Sequence, residues 1–174
     1  DFALFCPVLE KVFATEKHFA ELCAPDKDPY DYCLGKYEDG LNKEKCDEFF
    51  GALKAKIVPL IKKIGEKEQL SDKCIWGYFS EAAQEKFSYD LMRLMGIDLD
   101  HCGLGTTEHP FTTSLGSHHD VRITTNYNTE NFASSMYSVI HEGGHALYDM
   151  NSADEFAYTN LDGGVSMGIH ESQS

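Results

Sequence analysis

Ser134-Ser135-Met136-Tyr137-Ser138-Val139-Ile140-His141-Glu142-Gly143-Gly144-His145-Ala146-Leu147-Tyr148 enters its histidine pair without a single preceding charge. Its apolar positions Met136, Val139, Ile140 and Leu147 recur at helical spacing, which predicts a buried helix. Residues i and i+4 of a helix lie one turn apart on the same face. One divalent metal can therefore reach both imidazoles, with Glu142 beside an open coordination position. With 8 histidines in 174 residues, H-E-x-x-H arises by chance in roughly 3% of such chains, so coincidence accounts for it poorly. Gly143 and Gly144 each cost about 1 kcal/mol relative to Ala inside a helix. Two in a row predict that another segment, or a substrate, approaches that face closely. The competing reading is a pair of satisfied core histidines with two packing glycines.

Two imidazoles need a third protein ligand before they make a catalytic site. The metzincin pattern requires a histidine where Asn151 stands and a glycine where Tyr148 stands, which excludes that class. The remaining candidates are Asp149, Asp154, Glu155, Asp162, His170 and Glu171. Asp149 follows His145 by four residues and suits a supporting hydrogen bond to an imidazole. Glu155 lies in a polar stretch and reads as a solvated loop carboxylate. Leu161-Asp162-Gly163-Gly164-Val165-Ser166 offers a glycine-rich turn and an N-cap, from which Met167-Gly168-Ile169-His170-Glu171-Ser172 begins a second helix. Returning beside the first helix, it can aim one carboxylate at the metal and complete a two-His, one-Glu set. His170 competes with Glu171 for that position, and adjacent helical residues point about 100° apart, so only one of them ligates.

Further motifs stand upstream in order: His109-Pro110-Phe111, and Asp120-Val121-Arg122-Ile123-Thr124. Together with Ile140 to Tyr148 and with Gly168-Ile169-His170-Glu171-Ser172-Gln173-Ser174, they resemble the thermostable metallocarboxypeptidase family (carboxypeptidase Taq). The resemblance runs more loosely back to Asp1 and so covers nearly the whole chain. It implies His141, His145 and Glu171 as metal ligands and Glu142 as general base. The ion would be Zn²⁺ or Co²⁺, and the substrates peptides with free C-termini. It also implies a mainly α fold, a helical zincin-type core with a small β-sheet near the active site, and homodimers of the full-length protein. Asn126 stands where the family commonly has an arginine. Family members run to about 500 residues, so residues 1–174 are expected to be a single, partial domain, a central fragment of a longer peptidase and inactive by itself.

His109, Pro110, Phe111, Asp120, Arg122 and Thr124 are candidates for substrate binding or structural support. The run from His119 to Asn126 alternates β-branched residues and reads as a strand, able to pair with an extended peptide at a sheet edge. Equally, Asp120 and Arg122, two apart on one face, can pair with each other. His109-Pro110-Phe111 reads as a turn packed under the site. Arg93 and Arg122 are the only arginines, so a bidentate carboxylate clamp within these residues must use one of them.

Two other function classes fit parts of the pattern. One is a different gluzincin, an aminopeptidase or endopeptidase; the Gly-x-Met-Glu-Asn-like segment usual in such aminopeptidases does not occur upstream. The other is a non-catalytic helical domain whose H-E-x-x-H is structural.

The net charge of −14 argues against nucleic acid and anionic membranes, because phosphate contacts need clustered Lys and Arg. No apolar run approaches the roughly 20 residues that span a bilayer. The six cysteines show no C-x-x-C spacing and read as free buried thiols in a reducing compartment, hence a cytoplasmic protein. Helices are predicted over Phe2 to Cys23, over Asp31 to Lys36 as a short turn, from an Asn42 cap through Ile57, and from a Ser80 cap to Gly96. Pro59 predicts a kink or break. The aromatic and Met stripes on these helices read as core. The stretch from Asp98 to Tyr127 is the β region.

Overall fold

A computed structural model describes residues 1–174, which form two compact units, 1–69 and 70–174. The first holds three helices, α1 (Phe2–Cys23), α2 (Pro29–Gly35) and α3 (Lys43–Gly65). Each begins at a side-chain cap: Asp1 accepts from the Ala3 amide, Asp28 from Tyr30, and Asn42 from Lys45. Such caps satisfy amides that have no partner in the first helical turn. Pro59 does not break α3; a proline removes one i→i−4 donor, and the bonds on either side keep the helix continuous. Between α1 and α2, Phe19 meets Tyr32 edge to face and the Lys36 ammonium lies 5.1 and 5.0 Å from the two ring centres.

The apolar stripes of this unit depart from the expectation of a core. Phe5, Phe13, Phe49, Phe50 and Ile61 all stay at least half exposed, and Ala20 is the one fully buried residue.

The second unit contains α4 (Glu81–Leu94), β1 (Cys102–Thr106), β2 (Thr112–Ser114), β3 (Val121–Thr125), α5 (Phe132–Met150) and α6 (Met167–Gln173). Ser80 caps α4, accepting from the Ala83 amide. Gly96 ends that helix in the left-handed region, at φ 81°, where the Ile97 amide returns to the Met92 carbonyl. This is the glycine stop predicted at that position.

The sheet has the order β1-β3-β2, with β1 parallel and β2 antiparallel to the central β3. Register pairs Leu104 with Ile123 on one side and Thr112 with Ile123 on the other. β3 is rich in β-branched residues, which suit a pleated, packed surface. Val121, Ile123 and Thr125 are fully buried while Arg122 faces out. The core joins Met92, Ile97, Cys102, Val121, Ile123, Val139 and Ala146. Burying each large aliphatic side chain there stabilises by about 1.5–3 kcal/mol. α5 packs on α4, β2, β3 and α6, so the helix with the histidine pair is the hub of this unit. Fold class follows the sequence expectation, mainly helical with a small sheet.

All six cysteines are free, but Cys102 alone is buried, and Cys23 and Cys74 are exposed. No helix is long and apolar enough to cross a membrane.

Candidate metal centre

α5 begins at Asn131, whose side chain accepts from the Ala133 amide, and runs 19 residues to Met150. His141 and His145 fall one turn apart on it, ring centres 4.9 Å from each other and nearly perpendicular. Gly163 and Gly164, both at φ 82°, turn the chain into α6, which Ser166 caps through the Ile169 amide. That helix returns against α5. One ligand atom each from His141, His145 and Glu171 lies within 4.8 Å of the other two. The structure thus brings all three predicted ligands together.

The paired glycines of α5 now have physical reasons. A Cβ on Gly144 would run into the backbone of Gln173 and Ser174, well inside van der Waals contact. A Cβ on Gly143 would stand 2.7 Å from Cε of Met95 and 3.1 Å from Cδ1 of Ile97. The first glycine admits the core from α4's end; the second admits α6, and with it Glu171.

His170, the rival for the third position, does something else. Its Nδ1 lies 2.7 Å from Nδ1 of His145, and its Nε2 lies 2.9 Å from Oδ1 of Asp149. Asp149 also accepts from Ser114 Oγ at 2.8 Å. A carboxylate only accepts, so His170 Nε2 carries a proton, and a neutral His170 then accepts at Nδ1 from His145. That assignment leaves the lone pair of His145 on Nε2, which stands 3.8 Å from Glu171 Oε2. Burial, and next the His170 imidazole, holds His145 below the ordinary histidine range. A neutral imidazole is the form that ligates. Asp149 therefore supports an imidazole, as its spacing predicted, but through His170.

Glu142 is buried, and its Oε2 accepts from Thr112 Oγ1 at 2.6 Å. Sequence reasoning passed over Thr112; its position directly after His109-Pro110-Phe111 was the available signal. The same hydroxyl is 3.0 Å from the Glu142 carbonyl, a second acceptor for its single proton, with the carboxylate the nearer.

The remaining candidates sit around the sheet. Thr124 Oγ1 accepts from the Phe111 amide at 2.8 Å and lies 3.1 Å from Thr107 Oγ1. Thr107 in turn donates to the His109 carbonyl at 2.7 Å. Thr124 thus braces the loop holding His109, Pro110 and Phe111, whose phenyl ring is half exposed. Asp120 and Arg122 form a two-point ion pair at 3.0 and 3.2 Å. Arg93 pairs with Asp90 at 2.9 Å. Both arginines are engaged by neighbouring acids.

The donor chemistry of the cluster, two imidazoles and a carboxylate, fits a first-row divalent cation. Fold and donor set together define a helical core with a candidate metal centre on its H-E-x-x-H helix. The family model for carboxypeptidase Taq (M32) metallopeptidases matches residues 1–174, and the chain belongs to that family. It is 38% identical over 177 residues to carboxypeptidase 1 of Bacillus subtilis and 37% identical over 185 residues to thermostable carboxypeptidase 1 of Pyrococcus furiosus. Each alignment covers all of this chain and 35% of the relative, so the chain spans about a third of the length of those curated relatives. The crystal structure of BsuCP superposes with a TM-score of 0.89 at 37% identity, and that of an M32 carboxypeptidase from Deinococcus radiodurans R1 with 0.87 at 36%. Both cover 99% of this chain and 35% of the solved one.

Proposed function

We propose that these 174 residues are the metal-binding part of a carboxypeptidase that removes the C-terminal residue of peptides. The observation that carries this reading is the convergence of His141, His145 and Glu171 beside the buried carboxylate of Glu142. Those three side chains would hold Zn²⁺ (or Co²⁺), which would supply a water acidified toward a pKa of about 7 and a Lewis acid for the scissile carbonyl. Glu142 takes the proton of the attacking water and passes it to the departing amine. Thr112 aims the Glu142 carboxylate through its 2.6 Å hydrogen bond, and His170 keeps His145 Nε2 as the donor atom.

The whole enzyme is about 500 residues long, the length implied by 177 aligned residues at 35% coverage. With Arg93 and Arg122 both paired to acids, recognition of the substrate carboxylate falls to the remainder of that enzyme. His109, Pro110, Phe111, Asp120, Arg122 and Thr124 serve as structural support around the sheet beside the site. The full-length protein works in the cytoplasm as a homodimer, on peptides with free C-termini.

Product analysis on the full-length protein tests this. An N-terminally blocked peptide should lose residues one at a time from its C-terminus, and the C-terminally amidated peptide should resist. Cleavage of an amidated peptide in its interior would make it an endopeptidase instead. Attack on free N-termini alone would make it an aminopeptidase.

A further inference from the structure

A second set of donors lies outside the first site, where the loop between β2 and β3 meets the chain that links α5 to α6. His118 is 2% exposed at its side chain and both of its ring nitrogens face carboxylates. Nδ1 is 3.0 Å from Asp162 Oδ1, and Nε2 is 3.0 Å from Asp154 Oδ1. His119 places its own Nε2 2.7 Å from the same Asp154 oxygen. The two imidazoles lie tilted, 4.2 Å between centres. Two ring nitrogens and a carboxylate oxygen thus converge on one point, all within 4.8 Å of one another.

The geometry points to a second divalent-cation site, with His118 Nε2, His119 Nε2 and an Asp154 oxygen as ligands and Zn²⁺ as the ion it takes. Asp162 is the feature that separates this cluster from a chance pairing. A histidine that binds zinc commonly donates its other ring N–H to a carboxylate, which fixes the tautomer and the ring plane. Asp162 stands in that relation to His118. In turn Asp162 Oδ2 accepts from the Tyr158 amide at 3.3 Å, and Tyr158 is the non-glycine residue held at positive φ, 63°. Two nitrogens with one oxygen suit the borderline first-row ions and not Ca²⁺ or Mg²⁺, which prefer all-oxygen shells.

The role is structural. His118 and His119 belong to the loop preceding β3, Asp154 to a short 3₁₀ turn at Asp154–Phe156, and Asp162 to the glycine turn before α6. A cation there ties three segments together and anchors the stretch between the helix with His141 and His145 and the helix with Glu171. Filling the second site thus favours assembly of the first.

The test is Zn²⁺ stoichiometry and affinity in the chelator-stripped full-length protein, measured by competition with a chromophoric chelator. Two equivalents are expected for the unaltered protein, one for His141→Ala/His145→Ala, and one for His119→Ala. His119 is exposed, so its substitution leaves the core intact even where the double variant fails to fold. Asp162→Asn should weaken the second equivalent by about 10–100-fold. Co²⁺ loaded into the double variant should give a visible d–d spectrum that disappears on adding His119→Ala. One equivalent in the unaltered protein, or two retained in His119→Ala, overturns the proposal and leaves the cluster as an ion triad of His118 with two aspartates.

Discussion

Nδ1 of His145 and Nδ1 of His170 lie 2.7 Å apart, and this contact decides which nitrogen of His145 is left free to ligate. With Asp149 holding the far side of His170 at 2.9 Å, the proton between the two rings belongs to His145. His170→Ala removes the acceptor and frees His145 to take either tautomer or to rotate. Metal affinity should fall by about 10–100-fold in His170→Ala and in Asp149→Asn, with Glu171→Ala weaker still because a ligand is lost. Chelator competition across the three variants checks the order. Equal affinities for His170→Ala and the unaltered chain would refute the relay.

Glu142→Gln keeps the shape and the Thr112 contact but cannot accept a proton. Metal content should be unchanged, and kcat of the full-length protein should drop by about 10²–10⁴-fold, the usual worth of a positioned acid–base group. Parallel metal analysis and peptide hydrolysis measure both quantities on one sample.

Thr112→Val deletes the hydroxyl that donates to Glu142 Oε2 while preserving volume. A hydrogen bond to a charged group contributes about 1.5–3 kcal/mol, so kcat should fall by about tenfold or more with zinc stoichiometry intact. An unchanged kcat would mean that Glu142 is oriented without β2.

Gly144→Ala adds one methyl where the Gln173 backbone already touches the helix. The added carbon cannot be absorbed by rotating a side chain, because its neighbour is main chain. Overpacking of this kind costs about 1–3 kcal/mol, and here it acts by pushing α6 off α5. Metal affinity should therefore drop although no ligand is altered. Gly143→Ala meets the flexible Met95 tip and should lose less, a contrast that thermal unfolding and zinc titration of the two variants will read.

Burial pushes the Cys102 thiol up to about 11, whereas in the unfolded chain it ionises near 8.5. A folded pKa above the unfolded one gives stability that is complete below the unfolded value and lost as pH rises toward the folded one. Between about pH 8 and 10 the chain should lose roughly 1–2 kcal/mol from this group. Urea unfolding at both pH values would measure it, and Cys102→Ala should flatten the slope. Identical slopes in the two chains would place the pH dependence elsewhere.

Local rules carried much of the fold. Asn42, Ser80 and Ser166 are caps because a short polar side chain can reach an unpaired amide within three residues, and that is written in neighbouring positions. The same holds for the Gly96 stop and for His141 and His145, whose alignment follows from helical geometry alone. Glu142 is placed beside them by the same geometry, although its carboxylate takes its orientation from Thr112.

What the sequence by itself determined was therefore much of what is set by contacts a few residues apart, though not the course of α3 through Pro59, together with the four ordered motifs that resemble the family. Tertiary structure decided the rest. Glu171 joins His145 across 26 positions because α6 closes on a glycine, and Thr112 reaches Glu142 across 30. His170 sits against His145 and Asp149 while its neighbour Glu171 turns toward His141 and His145, a choice that depends on how one helix rolls on another. Spacing cannot encode that roll. It is set by which side chains and which stretch of backbone fill the space between the helices, as Gln173 fills it against Gly144.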